Sequence, residues 1–175
     1  MTGEYEVTIT ESSTLVTLSS LFLTGTPAYM FIGKLGLDVS TAADVVPVDL
    51  TGLVWNYEAN ATYIFKWIGK VLPNATTTGC GFQLNTSTAI TDIAMRFTHQ
   101  LANTGTISGG SSGADDVSIG VSSGMASASV STIVVGNGLL ITGAESGTAQ
   151  LRFRSETTAI TTAKAGLVLT VERII

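Results

Sequence analysis

"GTAQLRFRSE" (residues 147–156) sets Ala149, Leu151 and Phe153 against Gln150, Arg152 and Arg154 when every second residue is read. Successive side chains of a strand point to opposite sides, so this is a strand with one apolar and one polar face. The same reading extends outward. "ATYIFKWIG" (61–69) puts Ala61, Tyr63, Phe65 and Trp67 on one face, while the other (Thr62, Ile64, Lys66, Ile68) is mixed. "GCGFQLNT" (79–86) aligns Cys80, Phe82 and Leu84, and "ITDIAMRFTHQL" (90–101) aligns Ile93, Met95, Phe97 and His99. "LVWNYEA" (53–59), "VSTIVVG" (130–136), "GLLITG" (138–143), "TTAITT" (157–162) and "GLVLTVERII" (166–175) are further strand candidates, and "GNG" (136–138) reads as a tight turn between two of them. β-Branched residues and Gly dominate and helical spacing is scarce. From residue 53 onward the pattern predicts roughly eight to ten strands, the number a jelly roll uses. The expected fold is all-β, a jelly-roll-like antiparallel β-sandwich over residues 51–175.

Residues 1–50 are expected to form an N-terminal arm lying on a neighbour or additional strands of the same body. "EYEVTITE" (4–11) alternates Tyr5, Val7 and Ile9 with Glu4, Glu6 and Thr8. Leu21, Phe22, Leu23, Tyr29, Met30 and Phe31 need a cover, because apolar groups of that extent are rarely left in water. The Gly/Ser-rich stretch 103–129 predicts a loop or a loosely packed pair of strands.

Charged residues make up 12 % of the 175-residue chain, about half the usual share of a soluble domain, roughly 25 %. So few charges predict a surface buried largely by other chains, or a neutral Ser/Thr skin. The formal net charge of −5 argues against a nucleic-acid partner, whose footprint should be basic. "LVTLSSLFLTG" (15–25) is too short and too interrupted by Ser and Thr to span a membrane, and acids rather than bases precede it. Three Asn-X-Ser/Thr sequons, at Asn60, Asn74 and Asn85, read as chance in a Thr-rich chain.

The chemistry of catalysis is sparse. His99 is the single histidine and sits on the same face as Phe97 and Met95, which predicts a hydrogen-bonded inward or edge residue. Cys80 is the single cysteine, so no intrachain disulfide forms, and it reads as a small packed residue. Asp115 and Asp116 lack the spaced ligands of a calcium loop. No phosphate-binding loop or dinucleotide fingerprint appears. The expectation is no enzyme, no cofactor and no metal. Trp55, Tyr57, Tyr63 and Trp67 raise the question of sugar stacking, which their period-two spacing answers in favour of a core, leaving Trp55 or Tyr57 as rim candidates.

"EANATYIFKWIGKVLPNATTTGCGFQL", "ITGAESGTAQLRFRSE" and "AGLVLTVERI", in that order, resemble a β-rich module of tailed-bacteriophage structural proteins: capsid decoration (cement) proteins, head fibres and fibre tips. The resemblance spans residues 55–175. It rests on Ala61 and Tyr63, on Thr78, Gly79 and Phe82, on Gly147, Thr148, Gln150, Leu151, Ser155 and Glu156, and on Gly166, Leu167, Leu169 and Val171. Ala165-Gly166-Leu167 departs from it, a Gly-Ser step being commoner there. The resemblance implies a jelly-roll-like sandwich, a homotrimer and a place on the capsid exterior, without catalysis. The expected function is a decoration protein that binds the major capsid protein of the assembled head; the alternative is a fibre tip recognising a host surface glycan. Neither a nucleic acid nor a membrane is an expected partner. Candidate capsid or subunit contacts are Leu21, Phe22, Leu23, Tyr29, Phe31, Arg152 and Arg154, with Arg152 or Arg154 expected to meet Glu172 across neighbouring strands.

Overall fold

A computed structural model of the chain describes residues 30–100, 107–112 and 130–174. Leu21, Phe22, Leu23, Tyr29, Asp115 and Asp116 lie outside these. The described residues contain eleven strands and no helix: β1 (Met30–Lys34), β2 (Val39–Ser40), β3 (Val48–Tyr57), β4 (Thr62–Pro73), β5 (Cys80–Thr86), β6 (Ile90–Gln100), β7 (Ile107–Ser112), β8 (Thr132–Thr142), β9 (Gly147–Ser155), β10 (Thr161–Ala163) and β11 (Val168–Ile174). All pairings are antiparallel. The large sheet runs β1-β11-β4-β8-β6-β7, with β10 continuing beside the end of β4 and β2 beyond it, and the small sheet runs β3-β9-β5. The chain is therefore all-β, a jelly-roll-like antiparallel sandwich. Two segments before residue 50 pair within the large sheet: Met30–Lys34 lies along β11 and Val39–Ser40 along β10.

The alternation read in 147–156 holds residue by residue. Ala149, Leu151, Phe153 and Ser155 face the core, and Gln150, Arg152 and Arg154 the other side. A chain of ring contacts joins the two sheets. Trp55 lies 5.7 Å from Phe65, Phe65 is 6.0 Å from Trp67, and Trp67 is 5.4 Å from Phe82. Phe82 reaches Phe97 at 5.2 Å and Phe153 at 5.4 Å. Tilted and edge-on arrangements at such distances add to the area term of burial. The passage from β3 in one sheet to β4 in the other is held by a buried hydroxyl. Thr142 Oγ1 accepts from the Ala61 N–H (2.8 Å) and donates to the Glu58 carbonyl (2.7 Å), while the Tyr63 hydroxyl accepts from the Glu58 N–H (2.9 Å).

Three expectations are corrected. Gly136-Asn137-Gly138 is not a turn: β8 runs unbroken through it. Gly136 pairs with Trp67 and Phe97, and Gly138 with Phe65 and Met95, all on the inward face. A Cβ at Gly136 would stand 2.0 Å from the Trp67 ring, and one at Gly138 2.3 Å from the Phe65 ring. The glycines leave room for rings; they do not reverse the chain. Second, β3 starts at Val48, not 53. Its register with β9 slips between Asp49 and Val54 around Gly52 at φ +91°, and that irregularity hides the period. Third, strand structure in 157–162 is confined to its end, at Thr161–Ala163.

The Ala165-Gly166-Leu167 departure is a turn into β11. Gly166 adopts φ +90°, a conformation other residues take only at a cost. Its N–H donates to the Leu35 carbonyl, and the Leu35 N–H to the Leu167 carbonyl, both at 2.8 Å. The Ala165 N–H and then the Lys164 ammonium hold the nearby Asp38 carboxyl below the usual carboxylate range.

Candidate functional site

An antiparallel sheet with one solvated face normally shows polar residues there. The outer face of the large sheet mixes polar residues with large apolar ones. On β4 it carries Ile64, Lys66, Ile68 and Lys70, and on β8 Ile133, Val135, Asn137, Leu139 and Ile141. Ile68 is 55 % exposed, Ile133 58 % and Val135 45 %. The register sets these in rows. Ile68 lies between Val168 and Val135, Lys66 between Thr170 and Asn137, and Ile64 between Glu172 and Leu139. Arg96 of β6 stands opposite Asn137, and its Nε donates to Asn137 Oδ1 (3.3 Å).

Three shallow depressions adjoin on this face. One of about 500 Å³ is lined by Lys66, Ile68, Arg96, Val135 and Val168. A second of about 410 Å³ lies over Ile64, Ala94, Arg96 and Leu139. A third of about 190 Å³ sits at the β1 edge between Met30, Ile64, Lys66 and Glu172. The row Thr170, Lys66, Asn137 and Arg96 crosses the middle of this face between the apolar rows of Ile68 and Ile64.

The charges sort by location. Lys34, Lys66, Lys70 and Arg96, half of the eight cations in the chain, project from this face. None forms an ion pair among the described residues. Three of the others do: Arg152 with Asp49 (2.8 Å), Arg173 with Glu58 (2.5 Å) and Lys164 with Asp38. Against the four cations the face sets two carboxylates, Glu172 and Asp92. Among the described residues, a chain of net charge −5 thus concentrates positive charge on the outer face of the large sheet.

The residues singled out from sequence fall elsewhere. Arg152 and Arg154 are half-buried on the small sheet, away from Glu172, which belongs to β11 of the large sheet. The expected cross-strand pair is therefore not made: Arg152 binds Asp49 and donates to the Pro47 carbonyl (3.2 Å), and Arg154 donates to the Ser155 carbonyl (3.3 Å). Phe31 turns inward and is 8 % exposed, so its ring packs within the chain instead of meeting another. The outer-face residues were missed, although the mixed second face of "ATYIFKWIG" carried the signal: a strand apolar on both sides is covered on both sides. Arg152→Ser is expected to cost about 1 kcal/mol in a urea melt, since a partly exposed pair contributes little. A loss several times larger would mean that the arginine holds the register of β3.

Every aromatic ring among the described residues is buried, Trp55 and Tyr57 included. Neither presents a face to a sugar, which removes both as stacking platforms. His99 is buried with its ring over Phe97, centroids 5.8 Å apart. Among the described residues no three His, Cys, Asp or Glu side chains gather as a metal site. Cys80 is fully buried, and desolvation, reinforced by Glu156, pushes its thiol up to about 12. The folded chain is therefore expected to resist a thiol reagent at pH 8 and to react only once unfolded. Prompt labelling of native protein would show that the β5 end opens. Because the folded thiol lies above its ordinary value of 9.0, its contribution to stability is complete below that value and is lost as pH rises toward 12.

No family model matches the chain, and no curated protein does. Among solved structures it is similar to the carbohydrate-binding module TmCBM61 in complex with β-1,4-galactotriose (TM-score 0.41, 9 % identity, 71 % of this chain and 91 % of that one). It is also similar to the CBM22-1–GH10 modules of the Clostridium thermocellum endo-1,4-β-D-xylanase 10B with xylohexaose (TM-score 0.34, 8 % identity, 78 % and 27 %). A third likeness is to the VP2 subviral particle of infectious bursal disease virus (TM-score 0.27, 10 % identity, 91 % and 45 %). At these scores the likenesses are to a β-rich architecture and bring no activity or partner to this chain.

Proposed function

We propose that the chain is a structural protein of a tailed-bacteriophage particle. It binds the major capsid protein of the assembled head as a homotrimer and stabilises the shell without catalysing a reaction. The observation that carries this reading is the outer face of the large sheet, a broad surface of isoleucines and valines whose cations make no ion pair among the described residues and which is suited to burial against protein. Low charge over the whole chain and the sequence resemblance of residues 55–175 support it. The mechanism is mass action: a protein that binds only the assembled shell lowers the free energy of that state relative to its dissociated subunits.

The test measures native mass and then adds the protein to heads stripped of it. The expected results are the mass of three 18.1 kDa chains and saturable binding that delays shell disruption. A monomer at tens of micromolar (roughly the range of modest assemblies), or no retention on heads, overturns the reading. Ile68→Thr with Val135→Thr is expected to weaken assembly while leaving the chain folded, because both side chains already face solvent and threonine suits a strand. Removal of residues 1–29 should preserve the sandwich. A cut after residue 31 takes Met30 and Phe31 out of their pairing with Glu172 and Val171 and would destabilise it.

A further inference from the structure

We propose that the outer face of the large sheet receives residues 1–29 of a neighbouring copy, so that exchanged N-terminal segments hold the trimer together. This rests on the homotrimer reading and names the surface and the segment that make the contact.

Charge is the first support. The face bears Lys34, Lys66, Lys70 and Arg96 against Glu172 and Asp92, whereas residues 1–29 contain Glu4, Glu6 and Glu11 and no Lys or Arg. Opposite signs steer the two together and set orientation. The same charges disfavour two copies meeting face to face, since each basic surface would oppose another. Apolar matching is the second support. The segment carries Leu15, Val16, Leu18, Leu21, Phe22 and Leu23, and the face offers Ile64, Ile68, Ile133, Val135 and Leu139.

Position is the third. Residue 29 precedes Met30, the first residue of edge strand β1, and the Met30 side chain lines the depression shared with Ile64, Lys66 and Glu172. The segment thus joins the body at the rim of this face. Six strands at about 4.8 Å make the face roughly 24 Å wide. Twenty extended residues reach about 65 Å, ample to cross to a neighbour and lie along its face.

Three full-length variants test the charge match: Lys66→Glu with Arg96→Glu, Glu4→Lys with Glu6→Lys and Glu11→Lys, and all five together. Each of the first two sets is expected to raise the trimer dissociation constant at least about tenfold with the far-ultraviolet strand signal unchanged, and the combined set to recover most of that loss. A photoreactive benzoylphenylalanine in place of Val135 tests the source. It is placed in a ¹⁵N-labelled copy mixed with unlabelled copies. The expected crosslink joins labelled position 135 to unlabelled residues 1–29. A crosslink within one labelled chain overturns exchange in favour of the chain covering its own face. An intact trimer with no crosslink to residues 1–29 overturns the docking of the segment and leaves the homotrimer standing. A monomeric wild-type chain removes the homotrimer reading itself.

Discussion

Gly136→Val is expected to destabilise the protein by about 3 kcal/mol or more, the upper range for overpacking a core. The reason is spatial. Position 136 lies on the inward face of β8, opposite Trp67 on one side and Phe97 on the other. The first added carbon would stand 2.0 Å from the Trp67 ring, well inside van der Waals contact, and valine adds two more. Trp67 cannot swing away freely, because its ring lies 6.0 Å from Phe65 and 5.4 Å from Phe82 within the core. Gly136→Ala combined with Trp67→Leu should cost less than the sum of the two changes, because the smaller partner vacates the clash. Urea melts of the four chains measure this. Full additivity would mean that the glycine serves the backbone and not the ring.

Phe82→Ala is expected to cost about 4 kcal/mol, in the range for a fully buried aromatic ring. Phe82 has no exposed surface and touches rings from both sheets: Trp67 and Phe97 of the large one, Phe153 of the small one. Its removal opens a cavity where the layers meet, and among the described strands β5, at the edge of the small sheet, pairs only with β9. The near-ultraviolet circular dichroism of the two tryptophans should weaken in the variant before the far-ultraviolet strand signal does. A loss below about 1.5 kcal/mol would show that neighbouring side chains collapse into the space.

Much of the fold was legible in short stretches. Period-two alternation identified the inward residues of β4, β5, β6 and β9, and with them the ring chain from Phe65 to Phe153. Burial of Cys80 and His99 followed from their place in that alternation. The reading failed where a residue's reason lay on another strand. Gly136 and Gly138 look like a turn in isolation, and only Trp67 and Phe65 across the sheet explain them. Strand faces alone offer Arg152 or Arg154 to Glu172, and neither meets it. Arg152 instead pairs with Asp49, which β3 brings alongside β9 from far away in sequence.

The candidate site was less legible. "ATYIFKWIG" showed Ile64, Lys66 and Ile68 as a mixed face, but nothing local reveals that Val135, Leu139 and Val168 flank them or that Arg96 completes the row. By itself the sequence determined the strand class and the two sides of each strand, because alternation follows from backbone geometry and needs no partner. Tertiary structure alone decided which strands lie side by side, because register is a choice among distant pairings. That choice gathers isoleucines, valines and half of the cations onto one exposed sheet.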